Sequence, residues 1–424
     1  MRSLGPGLVT GASDDDPSGV ATYSQAGASF GLGLVWTALA TLPLTYSVQE
    51  ICDRTALATG QGLGELTARR FARTGQVIVG VLILLLIGAN ALNIAADVVA
   101  IGAGMNLLGA GPTTAWALAS GVVVTVLVVT GSFELVANIF KLLAAALLAY
   151  VAVLFAVDVD WSSVVSHTFL PRFESNSDYA VMLVAVLGTT LSPYLLFWQS
   201  LHRVEDLRAE PEGGDEPLPL RRWHRGRARR KQQHSRFDVF VGFAFSNLVM
   251  FAIIVTTANT LTGEGSEEIE SAAEAASALE PVAGELASTL FAFGFIGSGM
   301  LAVPILAGSG AAGLAGLLGR TIGFSHSPAR APVFYTLVLV GTLGGTIMSL
   351  LEVNPIRLLV FTAVINGIAA APFLAVVMLI AGNRAIMGGY VNGRLAAVLG
   401  WTTTAVMAVA AVLLFTVGRG GGLY

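Results

Sequence analysis

Apolar runs of about twenty residues or more recur along the chain, separated by short polar stretches. Eleven can be counted, at 5–30, 33–57, 76–106, 113–131, 134–157, 178–204, 237–262, 284–317, 330–352, 355–381 and 395–418. Each is long enough to cross about 30 Å of hydrocarbon as a helix, and the longer ones predict tilt or extension beyond the bilayer. Two runs are interrupted. The first contains Gly11-Ala12-Ser13-Asp14-Asp15-Asp16-Pro17-Ser18-Gly19. Pro17 lacks an N–H and biases Asp16 away from helical geometry, so the helix is expected to break there, with carboxylates and carbonyls turned inward. The sixth contains Gly188-Thr189-Thr190-Leu191-Ser192-Pro193-Tyr194, again a proline beside small polar residues. An offset of five spans reverses membrane orientation. The pattern therefore predicts an all-α polytopic membrane protein with two inverted five-span repeats, 1–157 and 178–381, and an eleventh span at 395–418. Its site is expected at the midplane, between the broken helices.

Composition agrees with that pattern. Of 424 residues, 54% are apolar and only 12% charged, where a soluble chain carries about 25% charged residues. Mean hydropathy is +0.75. The single cysteine, Cys52, excludes an internal disulfide and a cysteine-based metal site. Charge then orients the spans. With the N-terminus inside, eighteen of the 23 basic residues fall in inside segments, while the acidic run Glu264 to Glu280 falls outside. The expectation is an integral plasma-membrane protein with a cytoplasmic N-terminus and an external C-terminus. The one extended polar insert, 205–235, begins acidic and ends in a basic run from Arg221 to Lys231. It reads as a flexible topology anchor or as a contact for anionic lipid or a regulatory partner. Nucleic acid is not an expected partner, because no folded nucleic-acid module accompanies the basic run.

The candidate chemistry lies at the two breaks. Three adjacent carboxylates are costly in hydrocarbon unless they face a cavity, a partner or an ion, and oxygen ligands at an unwound helix suit a hard cation. Asp16 is the expected metal ligand, direct or through water. Asp14 and Asp15 cannot both face the same point; each is either a supporting charge or an interhelical hydrogen-bonding group. Ser192 and Thr190 are candidates to hold ordered water. Asp97 reads as a relay, a second ion contact, or a carboxyl bonded between helices. Asn366 reads as a pore residue or a helix–helix contact. Glu50, Asp53 and Arg54 read as an interfacial cluster, and Glu134 with Lys141 as a gate or structural pair. An enzyme is not expected: Gly31-Leu32-Gly33 and Gly308-Ser309-Gly310 lack a nucleotide-binding context, and all five histidines lie in loops or at span ends. A prenyltransferase would need a second Asp-rich cluster and basic phosphate ligands. No cofactor is implied, only a transported ion. An organic-cation carrier of the same architecture is the weaker alternative.

These residues resemble the Nramp family of divalent-metal transporters over essentially the whole chain, and more closely its Nramp-related magnesium transporter branch. The family's first-helix motif Asp-Pro-Gly-Asn is matched by Asp16-Pro17-Ser18-Gly19, and its sixth-helix Met-Pro-His by Ser192-Pro193-Tyr194. Ala58-Thr59-Gly60-Gln61-Gly62-Leu63-Gly64-Glu65-Leu66 resembles its cytoplasmic turn. The resemblance implies the LeuT-like fold of the amino acid–polyamine–organocation superfamily and a metal site built from Asp16, positions 19 and 192, and the carbonyls of Ser13 and Thr189. The departures carry the specificity. The motif Asn is Gly19 and the soft Met is Ser192, leaving oxygen ligands that suit Mg²⁺, Ca²⁺ or Mn²⁺ and a roomier site for a partly hydrated Mg²⁺. The family's proton-linked His is Tyr194, and of its acidic pair on the third helix only Asp97 is apparent, with Ala100 near the second position. The implied function is uptake of Mg²⁺, with Mn²⁺, by alternating access without proton coupling. The alternative is a proton-coupled Mn²⁺/Fe²⁺ importer.

Overall fold

The computed structural model describes residues 5–130, 145–156, 158–174, 176–211, 216–261, 269, 271–351 and 354–417. Among these the regular structure is entirely helical. In chain order the helices are α1 Pro6–Asp14, α2 Pro17–Phe30, α3 Trp36–Thr59, α4 Leu63–Arg70, α5 Arg73–Leu107 and α6 Thr113–Val129. There follow α7 Ala149–Val153, α8 Trp161–Phe169, α9 Ser177–Thr190, α10 Pro193–Arg208 and α11 Arg225–Thr260. The last are α12 Ala287–Leu317, α13 Pro332–Met348, α14 Pro355–Ala381 and α15 Arg394–Val417. Among the described residues six stretches are long and apolar enough to cross a membrane, α5, α9 with α10, α11, α12, α14 and α15, or seven if the bent pair of α2 and α3 forms one span; α6 and α13 are shorter apolar helices.

Described helices overlie the predicted segments, although 134–157 is described only from Ala145, so Glu134 and Lys141 lie outside the described residues. Much of the acidic run after Thr262 does too. Both proline breaks are present: α1 stops at Asp14 and α2 starts at Pro17, while α9 stops at Thr190 and α10 starts at Pro193. Past α2, Gly31 at φ 53° begins a tight turn, and the chain axis swings by 105° into α3.

The insert at 205–235 departs from the expected flexible loop. Helix α10 continues to Arg208, and α11 begins at Arg225, well before its apolar run. The basic residues therefore stand on a helix of 36 residues. Lys231 bridges Glu210 at 2.6 Å and Asp206 at 2.8 Å, which explains why this polar stretch holds helical form.

The interior is close-packed apolar side chain, and the outer faces are apolar as well. Val77, Ile78, Val81, Leu84 and Leu85 form an exposed stripe on α5, as do Leu395, Val398, Val409 and Val412 on α15. Such faces are stable against hydrocarbon rather than water. Backbones approach closely where glycines meet, at Gly7 and Gly11 on α1 against Gly242 on α11, and at Gly188 on α9 against Gly367 on α14.

Candidate functional site

Both breaks are built the same way. One residue leaves helical geometry (Asp15, φ −85°, ψ 47°; Leu191, φ −110°, ψ 38°) and the next is extended and precedes a proline (Asp16, ψ 169°; Ser192, ψ 130°). A helix closes on the N–H four residues ahead. Pro17 therefore deprives the Ser13 carbonyl of its partner, and Pro193 does the same to Thr189. At the second break Ser192 compensates, its hydroxyl lying 2.8 Å from the carbonyls of both Thr189 and Gly188. Its hydrogen is thus turned back onto α9. The Ser13 hydroxyl likewise reaches back, to the Val9 carbonyl at 2.7 Å.

Asp16 joins the two breaks. Its Oδ1 caps α2, accepting from the Gly19 N–H at 2.8 Å and the Ser18 hydroxyl at 2.7 Å. Its Oδ2 accepts from the Tyr194 hydroxyl at 2.9 Å, in the first turn of α10. Ser18 and Thr189 hydroxyls stand 3.3 Å apart, and Tyr23 meets Thr190 at 2.9 Å. So Thr189, Thr190 and Tyr194 meet the first break at Ser18, Tyr23 and Asp16, while among the described residues Ser192 bonds only within its own break. Asp14 and Asp15 turn the other way, toward α11, where the Ser246 hydroxyl lies 2.8 Å from Asp14 Oδ2 and 3.1 Å from Asp15 Oδ1. Gly19 does not open the expected space: a Cβ there would lie 3.1 Å from the Asp14 carbonyl and 3.4 Å from the Thr189 hydroxyl.

All three aspartates are buried, and so is Asp97 on α5, within Coulombic range of Asp16 and Tyr194. Among the described residues neither carboxylate oxygen of Asp97 has a hydrogen-bond partner, and Asp14 Oδ1 also lacks one. The reading of Asp97 as a carboxyl bonded between helices is therefore not what the structure holds. Among the described residues no basic side chain pairs with any of these four carboxylates, and no three His, Cys, Asp or Glu side chains converge on one point. Asn366 is drawn elsewhere, facing Asn93 on α5 at 3.3 and 3.4 Å, a helix–helix contact.

The family model described as natural resistance-associated macrophage protein-like matches residues 7–417. The chain belongs to the Nramp family. Curated Nramp relatives include the divalent metal cation transporter MntH of Verminephrobacter eiseniae, 28% identical over 97% of this chain and 87% of the relative. The protein of the same description from Deinococcus radiodurans is 24% identical over 95% of this chain and 87% of its own length. The Nramp fold is also seen in a manganese transporter of Eremococcus coleocola, with a TM-score of 0.72 at 15% identity, covering 99% of this chain and 88% of that one. A nucleobase-cation-symport-1 family transporter in a closed conformation aligns with a TM-score of 0.56 at 14% identity, over 100% and 94% of the two chains. The LeuT-like architecture that the family resemblance implied is thus the fold of this integral membrane protein.

Three participants escaped the sequence reading. Ser246 and Tyr23 are ordinary neutral polar groups, beside Asn247 and between Thr22 and Ser24, and only the packing of α11 and α2 places them at the breaks. Asn93 is one of two asparagines one turn apart on α5, and its spacing from Asn90 was the available signal. The cluster of Glu50, Asp53 and Arg54 proved larger and more buried than an interfacial group. Arg203 on α10 bridges Asp53 at 2.5 Å, Asp206 at 2.9 Å and Asp238 at 3.3 Å. Gln199 adds a 2.7 Å bond to Asp53, and the Ser235 hydroxyl donates to it as well.

Proposed function

We propose that this chain is a secondary transporter of divalent metal cations, with Mg²⁺ as its foremost substrate and Mn²⁺ as a second. The observation that carries this reading is the set of four buried carboxylates, Asp14, Asp15, Asp16 and Asp97, without a basic partner among the described residues. Buried charge of one sign needs a counter-charge, so a cation or protons must enter. The names of the curated relatives point to the cation.

Oxygen chemistry supports Mg²⁺. The groups at the breaks are carboxylates, hydroxyls and the carbonyls of Ser13 and Thr189. One thioether, Met250, stands beside Thr190, with 3.8 Å between its sulfur and that hydroxyl. Hard oxygen donors suit Mg²⁺ and Mn²⁺ over softer metals. Because the carboxylates diverge, the ion is held partly through its own waters, which Mg²⁺ gives up reluctantly. Asp16 is the central ligand, Tyr194 orients it, and Asp14 with Asp15 supplies negative field from the α11 side. Transport is alternating access about the two breaks and is not proton-coupled, since Tyr194 occupies the family's histidine position and titrates near pH 10 in its ordinary state.

The test is uptake of Mg²⁺ and of Mn²⁺ into proteoliposomes with a pH indicator inside. Mg²⁺ entry without acidification, abolished in Asp16→Ala while the variant still purifies as a folded protein, is the expected result. Normal uptake by Asp16→Ala would sink the site assignment. Mn²⁺ entry with internal acidification and no Mg²⁺ entry would replace this reading with that of a proton-coupled Mn²⁺ importer.

A further inference from the structure

A cleft of about 580 Å³ opens where the polar ends of α3 and α11 meet the start of α15. Its walls include Glu50 and Arg54 from α3, Arg236 from α11 and Arg394 from α15. Three guanidinium groups thus face one carboxylate. That carboxylate is already committed: Glu50 accepts from Arg54 at 3.1 Å and from Arg236 at 2.8 Å. Arg54 is engaged at every nitrogen as well, its two amino groups bonding the Tyr390 carbonyl and the Asn392 side chain.

The other two arginines are not. Arg236 is half exposed and engages only its Nε, leaving both amino groups unbonded among the described residues. Arg394 is exposed and has neither an ion pair nor a hydrogen bond there. It also opens α15, where the helix dipole already presents positive charge and an arginine is unfavourable without an anion. Immediately beyond the cleft the surface turns apolar, with Leu395 and Val398 along α15 and Phe237 and Phe240 along α11 all exposed. Tyr46, in the cleft wall, packs edge-on against Phe240 with ring centres 5.7 Å apart. Aromatic rings at such a polar–apolar boundary mark headgroup depth.

A ligand that fits must carry a compact anion at one end and hydrocarbon at the other. We propose that the cleft seats the phosphate headgroup of an anionic membrane lipid, with Arg236 and Arg394 closing on the phosphate and the acyl chains lying along Leu395, Val398 and Phe240. The contact is charge-assisted and joined to apolar contacts along the acyl chains, so it outlasts general attraction to a negative surface.

The full-length protein in zwitterionic detergent is titrated with phosphatidylglycerol, with phosphatidylcholine and with inorganic phosphate, following its thermal unfolding midpoint. Phosphatidylglycerol is expected to raise the midpoint, with little effect from the other two. The Arg236→Gln/Arg394→Gln double variant should bind phosphatidylglycerol roughly tenfold more weakly. Arg73→Gln/Arg320→Gln, which removes the same charge from two exposed positions outside the cleft wall, should respond like the parent. An equal rise with phosphatidylcholine, an unchanged rise in the cleft variant, or an equal loss in both double variants would each overturn the proposal. A rise with inorganic phosphate matching that with phosphatidylglycerol would make the ligand a free anion and not a lipid.

Discussion

Pro17 and Pro193 each free one carbonyl, but the two carbonyls meet different fates. Thr189 is taken back by the Ser192 hydroxyl, whereas Ser13 keeps an acceptor without a side-chain donor. Asp16 is held from both sides, and among the described residues the partner of its Oδ2 is the Tyr194 hydroxyl. Tyr194→Phe removes that donor without changing the volume of the side chain by more than an oxygen. Apparent metal affinity in uptake assays is expected to fall roughly tenfold, about 1.4 kcal/mol, while the unfolding midpoint moves little. At this scale the sequence was a good guide wherever a residue's chemistry was out of place. Aspartates and prolines in an apolar run announce themselves. Ser246 did not, because one hydroxyl in a helix is ordinary until a neighbour brings a carboxylate to it.

Helices pair in this bundle through small residues, and the tightest pairing near the second break is α9 on α14. A Cβ on Gly188 would collide with the Ala363 carbonyl and the backbone of Gly367. Gly188→Ala is therefore expected to push α14 off α9, costing about 1–3 kcal/mol and lowering the yield of folded protein in size-exclusion chromatography. The same substitution at Gly344, where a Cβ meets nothing within 4 Å, should be neutral. Element positions were legible because apolar runs and prolines bound them. The start of α11 was not legible: its first three turns, from Arg225, are polar, and their helical form depends on Glu210 and Asp206, carboxylates contributed from the preceding stretch. Asn366 shows the same limit, since its partner Asn93 lies on another helix and no local pattern joins them.

Across the whole molecule, one ionic network ties four helices together at the polar end. Arg203 on α10 pairs with Asp53 on α3 and Asp238 on α11, and Asp238 in turn accepts the Gly7 N–H at 2.8 Å and the Leu8 N–H at 3.2 Å at the start of α1. Arg203→Ala leaves Asp53 buried without its counter-charge, so unfolding in detergent should become about 3–5 kcal/mol easier. Asp53→Asn made in addition is expected to restore part of that loss, because the stranded charge is gone. The sequence put Asp53 in a charged cluster with Glu50 and Arg54, yet nothing local says that it shares a hydrogen bond with Arg203, 150 positions away. Helix α1 is held by this network at its first turn, by Ser246 at its last, and by glycine contacts between. All three fastenings are on α11, which makes the pair a single lever with no joint along its length. Motion of the first half-helix must then be a swing of both rods about residues 15 and 16. Gly11→Ala, whose Cβ would meet the Gly242 backbone, should part the two rods and lower metal uptake, and unchanged uptake by that variant would show instead that α1 moves independently of its neighbour.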